Sequence, residues 1–176
     1  MILHLDKTHI TEYKNTNYSF WRIQMLDQKS LAILKILQEK ARVPNTEVAR
    51  QVGLAPSAVL ERIRKMESQG IIDGYEVRLN PEQFSKNQVA FIHIKYDCSL
   101  DKGGAIGRSL SSIAEVQEVH YLAGNDCYFV KVRVADTKEL NSVLRDKILI
   151  IAGILSSTTS AVLQTYKETA NIPIHN

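Results

Sequence analysis

Residues 45–70 constrain this chain more than any other stretch, because two short helical periods there meet at a glycine and a proline. Val48 and Val52 lie four apart with the small Ala49 beside them, making one apolar face of a helix that Asn45 can cap. Gly53 stops that helix, since glycine accepts a left-handed backbone at no steric cost, and Leu54 can then turn back into a core. Pro56 suits the first position of a second helix, where its missing N–H loses nothing. In that helix Val59, Ile63 and Met66 recur at i, i+4 and i+7 and must face a neighbour. Ser57, Ala58, Glu61, Arg62 and Lys65 then point outward. Leu26, Ile33, Leu34 and Leu37 mark a third helix over 26–40 that covers the pair. Position 55 is Ala where a capping Ser or Thr is expected, a loss of about 1 kcal/mol for the second helix.

Two helices folded across such a turn form a helix-turn-helix, which places the N-terminal part of its second helix in the major groove of double-stranded DNA. In that geometry Ser57, Ala58, Glu61 and Arg62 meet base edges, while Arg64, Lys65 and the first turn at Asn45 and Thr46 hold phosphates. The alternative is a three-helix domain that binds protein, with Arg62, Arg64 and Lys65 an ordinary solvated face. Charge leans toward DNA: residues 26–80 hold nine Lys/Arg against seven Asp/Glu, and residues 81–176 hold ten of each. The excess is small, so one copy is expected to bind weakly and to work in an assembly.

The 176-residue chain has room for two small domains, and no apolar run approaches the roughly 20 residues that span a bilayer. Without a signal-peptide pattern at its start, the chain is expected to be cytoplasmic and nucleoid-associated, with no membrane partner. Cys98 and Cys127 are expected as free, inert thiols that nothing cationic adjoins, and no Cys/His spacing suggests zinc. No cofactor or metal is expected.

Beyond Gly70, Tyr75, Val77 and Leu79 alternate on one side of a strand that Asn80-Pro81 ends, with a polar bridge over 83–88. A strand is expected over 89–96, a weak helix over 101–113, strands over 115–122 and 128–134, a helix from 136 to about 152 and a last strand over 154–165. Asp136 with Glu139 three residues later resembles a capping box. Strand, helix, strand, strand, helix, strand is the order of a ferredoxin-like α+β sandwich with both helices on one face. Its other face is left apolar, and pairing with a second copy would cover it.

This plan resembles the Lrp/AsnC (feast/famine) family of transcription regulators. The resemblance rests on Leu26-Asp27, Ile33-Leu34 and Leu37, on 48–54, on Val59 and Arg62-Ile63, and on 70–75. It continues with His120, Gly124, Tyr128, 131–134 and Asp136. It implies an α+β chain with an N-terminal winged helix-turn-helix domain at 25–74 and a linking strand and linker at 75–88. A ferredoxin-like βαββαβ domain of the RAM/AsnC type follows at 89–170 for effector binding and oligomerisation. An N-terminal extension, 1–24, and a tail, 171–176, flank these, and Tyr18, Phe20 and Trp21 could pack on the first helix of the domain.

The family's properties imply a homodimer that commonly becomes an octamer, and an amino acid or related small molecule held between dimers. The implied effector residues are Leu122, Gly124, Asn125, Asp126, Cys127, Thr158 and Ser160. Here the chain departs from the family pattern, with Cys127 where the second acid of the loop usually stands and Ser157-Thr158-Thr159 where a Thr-Arg-Thr stretch does. Either the ligand is an unusual one or there is none, and the latter would make the protein an architectural DNA binder. Some proteins of this plan resemble siroheme decarboxylases, but His4, His9, His93, His120 and His175 are scattered in sequence. The glycine-rich 103–107 also lacks the Lys-Ser/Thr of a phosphate loop, so catalysis is not expected.

Overall fold

The computed structural model describes residues 26–124 and 127–174. The expected N-terminal arm with Tyr18, Phe20 and Trp21, the loop residues Asn125 and Asp126, and His4, His9 and His175 lie outside the described residues. The chain divides into two compact units, Arg78–Glu168 and Met1–Val77 with Thr169–Asn176.

Among the described residues the first unit is built on three helices, α1 (Gln28–Glu39), α2 (Asn45–Val52) and α3 (Pro56–Ser68). Asp27 caps α1 by accepting the Ser30 N–H at 2.8 Å. Asn45 does not cap α2. The cap residue is Pro44, whose carbonyl accepts from Glu47 and Val48 at 2.9 and 3.1 Å, so Asn45 already stands inside the first turn. Gly53 adopts φ 67°, ψ 50° as the turn requires, and the Lys29 ammonium donates to the Val52 carbonyl beside it. Ala55 gives α3 no side-chain cap. Ile33, Val48, Ala49, Val52, Val59, Ile63 and Met66 form one buried cluster, with Leu26, Leu34, Leu37 and Leu54 packed partly against it. The spacing of apolar positions thus becomes a core in which each helix contributes its stripe.

No strand forms over 75–79 within one chain, although the sequence alternates there. A strand needs a neighbour to satisfy its backbone, and none of the described residues supplies one, so Val77 and Leu79 are left exposed. A short 3₁₀ turn, Pro81–Phe84, stands at the head of the bridge that leads into the second unit.

In the second unit β1 (Gln88–Tyr96), β2 (Val116–Leu122), β3 (Cys127–Val134) and β4 (Ile154–Ala161) form an antiparallel sheet of order β2-β3-β1-β4. With α4 (Ala105–Ser111) and α5 (Thr137–Ser142), this is the expected βαββαβ order and an α+β fold. The first helix is shorter than its sequence pattern, because Gly103 and Gly104 take φ 61° and 75° and confine residues 102–104 to a 3₁₀ turn. Asp136 caps α5 through the Glu139 N–H at 2.8 Å, and the Glu139 carboxylate returns to the Ala135 N–H. Beyond Ser142 the helix widens into a π-helical turn, Val143–Ile148, and it ends short of the expected residue 152. β4 likewise stops at Ala161 rather than near 165.

One face of the sheet carries Ala90, Ile92, Ile94, Tyr96, Tyr128, Val130, Val132 and Val134. These pack with Ile106 and Leu110 of α4, Leu140 of α5, and Val143 and Ile148 of the π turn. The alternate residues form the opposite, helix-free face: Phe91, His93 and Lys95 of β1, Phe129, Lys131 and Arg133 of β3, Glu118 and His120 of β2, and Thr158 and Ser160 of β4.

Candidate nucleic-acid and ligand-binding sites

Along α3 the structure leaves Ser57, Glu61, Arg64 and Lys65 exposed and Ala58 half-buried. On α2, Thr46 is exposed and Asn45 half-buried. Arg62 departs from its expected role. Its Nη1 donates to both Asp27 carboxylate oxygens, at 2.8 and 2.7 Å, and to Ser30 Oγ at 2.9 Å. Position 62 flanks the buried Ile63, so its side chain runs along α1 toward the cap of that helix instead of outward. The Ser30 backbone N–H, the Ser30 hydroxyl and the Arg62 guanidinium together hold the Asp27 carboxyl down at about 2. A depressed carboxyl stabilises the fold above its ordinary value near 4, and that contribution is lost as pH falls toward 2. Arg62 is therefore a tie between α1 and α3.

Arg62→Ala should cost about 1 kcal/mol of stability at neutral pH, the ordinary scale of a partly exposed ion pair. Thermal unfolding of the variant and the parent should converge as pH falls through about 2 and Asp27 becomes protonated. DNA affinity should fall alike on operator and random sequence. A loss confined to one base pair of the operator, measured by anisotropy on single-substitution duplexes, would return Arg62 to a base-reading role.

The loop between β2 and β3 begins at Leu122, half-buried, and turns at Gly124 with φ 91°. Cys127 is not in the loop but opens β3, buried, paired in register with Leu122 and Lys95. Cys98 is an exposed thiol, and both cysteines are free. Thr158 and Ser160 sit on β4 opposite His93 and Phe91. They are thus two strands across from Cys127 and two and four residues further along, roughly 12 and 17 Å away at the usual strand spacings. One chain does not bring them together with the loop.

Three features of this unit were not visible in the sequence. Tyr96, Tyr121 and Tyr128 cluster at the loop end of the sheet, with ring centroids 5.1 to 6.4 Å apart. The Tyr128 hydroxyl donates to Asp101 at 2.7 Å, and burial together with that carboxylate pushes the phenol up to about 12. On the helix-free face, Lys131 joins Glu118, at 2.8 Å, to Glu168, and Arg133 Nη2 donates to Glu168 at 2.9 Å. The Lys131 ammonium holds both Glu118 and Glu168 below the usual carboxylate range. The third feature concerns the two strand histidines, scattered in sequence: they flank one ring, with His93 4.6 Å from Phe129 and His120 in register opposite it. No group of three metal-ligating side chains occurs among the described residues. Nor does any helix of them have the length and apolarity to cross a membrane.

Comparison with known proteins gives two adjoining matches, a winged helix-turn-helix DNA-binding model over residues 26–73 and an Lrp/AsnC ligand binding domain over 89–172. The HTH-type transcriptional regulator FL11 of Pyrococcus abyssi is 36% identical over 149 residues, covering 85% of this chain and 97% of that protein. The leucine-responsive regulatory protein of Escherichia coli K12 is 30% identical, covering 85% and 92%. Among solved structures, transcriptional regulator NMB0573 of Neisseria meningitidis, in complex with L-Met, superposes with a TM-score of 0.80. It is 29% identical, and the match covers 85% of this chain and 97% of that one. The AsnC protein of Escherichia coli gives a TM-score of 0.76 at 32% identity, covering 85% and 99%.

Proposed function

The chain belongs to the Lrp/AsnC family of DNA-binding transcriptional regulators with a ligand-binding domain, and from that premise we propose how its residues divide the work. The helix α3 enters the major groove, with Ser57, Ala58 and Glu61 toward base edges. Arg64 and Lys65, with Asn45 and Thr46 of α2, hold the phosphate backbone. The observation that supports this is the exposure of Ser57, Glu61, Arg64 and Lys65 on a helix whose other side, Val59, Ile63 and Met66, is fixed in the core. The work is that of a nucleoid protein of the cytoplasm, a binder and not a catalyst.

The helix-free face of the sheet pairs with a second copy, and the unpartnered alternation of Tyr75, Val77 and Leu79 is completed in the same assembly. The row of His120, Phe129 and His93 belongs to that pairing face rather than to a catalytic centre. Two copies set two α3 helices about one DNA turn apart, roughly 34 Å, so the operator is an imperfect palindrome. Dimers associate further, toward an octamer.

The effector is an amino acid or related small molecule, held by the β2–β3 loop with Gly124, Asn125 and Asp126 and by the strand ends beside it, Leu122 and Cys127. Thr158 and Ser160 reach that pocket only from another copy, given their distance from the loop within one chain. A neutral thiol at Cys127 cannot pair with an α-ammonium group as a carboxylate does, which shifts the ligand away from a plain amino acid.

Fluorescence anisotropy on an operator duplex across a salt series tests the DNA assignment. Lys65→Ala should weaken binding on every sequence and lower the slope of log affinity against log salt by about 0.9, one phosphate contact. An unchanged slope overturns the assignment of Lys65. A thermal-shift screen of amino acids and their derivatives tests the effector. A response to none of them would leave the architectural reading, in which the assembly binds DNA without a ligand.

A further inference from the structure

The last residues of the chain do not stay with the sheet that they follow in sequence. Residues from Thr169 onward cluster with the helical unit, whereas the chain up to Glu168 clusters with the sheet. The contact that holds them is specific. Gln38, in the last turn of α1, accepts the Ile172 N–H on Oε1 at 2.7 Å and donates through Nε2 to the Ile172 carbonyl at 3.2 Å. A carboxamide is the neutral side chain that offers one donor and one acceptor side by side, so it can take both backbone groups of a single extended residue. Three further observations fit a docked segment. Asn171 N–H donates to Thr169 Oγ1 at 3.1 Å, a local turn ahead of the contact. Pro173 stiffens the backbone directly after it. Ile174 is half-buried although Ile172 is exposed. The helix that receives the tail is also the one whose other end holds the DNA-facing helix, through Asp27 and Arg62.

We propose that residues 169–174 are a working part of the DNA-binding unit, clamped by Gln38 through the Ile172 backbone, and that this clamp positions α1 and with it α3 for operator binding. Gln38 is a positioning residue, since it touches no DNA in this arrangement. The proposal rests on the assignment of α3 to the major groove. Because the clamp reads backbone and not side chain, the identity of residue 172 matters less than its N–H. Ile172→Val should therefore be silent and Ile172→Pro should not.

The test compares four full-length proteins, the parent, Gln38→Ala, Gln38→Glu and Ile172→Pro, with a chain ending at Glu168. Operator affinity is measured by anisotropy, amide exchange is followed in α1, and assembly is followed by sedimentation. Gln38→Ala, Ile172→Pro and the shortened chain should each bind operator about threefold to tenfold more weakly, the scale of losing one or two partly exposed hydrogen bonds. Exchange at the Lys40 amide, which bonds to Ile36 O in the last turn of α1, should quicken while sedimentation stays as in the parent. Gln38→Glu keeps the acceptor for the Ile172 N–H and loses the donor, so it should fall between. Equal or tighter operator binding by the shortened chain and by Gln38→Ala overturns the proposal. Should the parent itself ignore DNA, the placement of α3 fails instead, and exchange in α1 alone still decides whether the tail docks.

Discussion

Phe129→Asp should leave the protein monomeric at micromolar concentration and weaken operator binding by about a hundredfold or more. Phe129 lies on an inner strand of the sheet, on the face without helices, stacked on Phe91 at a centroid distance of 5.2 Å with the rings within 4° of parallel. In a single chain both rings remain half-buried. An aspartate there breaks the stack with Phe91 and sets a carboxylate in the row of His120, His93 and Thr158. Replacing a stacked ring by a carboxylate that must lose its water in an interface costs several kcal/mol, enough to dissolve an ordinary dimer. The hundredfold figure follows from linkage, because two half-sites read by one dimer gain about 10²- to 10⁴-fold over a single one. Sedimentation velocity and anisotropy on the same samples check it, with circular dichroism to show that the sheet is intact. A variant that remains dimeric would mean that copies meet elsewhere.

Ile33→Ala should abolish DNA binding by a different route. Ile33 is fully buried at the centre of the three-helix cluster, in contact with stripes from α2 and α3. Removing its side-chain atoms costs about 2–5 kcal/mol, from lost transfer energy and the cavity left behind. A helical unit of this size has little reserve, since small domains bury a small share of their surface. The sheet unit has its own core and should stay folded. The expected result is a protein that still sediments as the parent does, yet exchanges amides across α1 to α3 freely and binds no operator. Retained operator affinity would show that the helical unit draws more of its stability from its surroundings than from this core.

Much of this was legible in residue order, for reasons that are local. Gly53 and Pro56 mark where α2 stops and α3 starts because their backbone preferences are properties of single residues. The sheet could be read because a period of two and a buried face leave the same imprint in every strand. Asp136 and Glu139 are three apart, so their reciprocal cap was visible too. What escaped depends on partners distant in sequence. Arg62 reads as an outward cation until Asp27, 35 residues away, is found beside it. Glu168 meets Lys131 and Arg133 across 37 and 35 residues, and nothing in the spacing announces it. Asn45 failed as a cap because the carbonyl of Pro44 takes that place one residue earlier. The alternation at 75–79 describes a real preference for pairing, but no strand among the described residues pairs with it. Cys127 reads as the last residue of the loop before the strand, but it opens β3, because pairing with Leu122 and Lys95 carries the sheet one residue further.

If the helix-free face pairs with a second copy as proposed, its chain of Glu118, Lys131, Glu168 and Arg133 has a consequence for how copies recognise one another. In a two-fold contact the same surface meets itself, and residues beside the axis face their own duplicates, so there like would meet like. Two anions and two cations bound together within each protomer cancel before the encounter, and the surfaces approach without mutual repulsion. Self-association should accordingly be nearly indifferent to ionic strength, while the grip on DNA weakens steeply with it, so that raising salt strips the regulator from its operator as an intact pair.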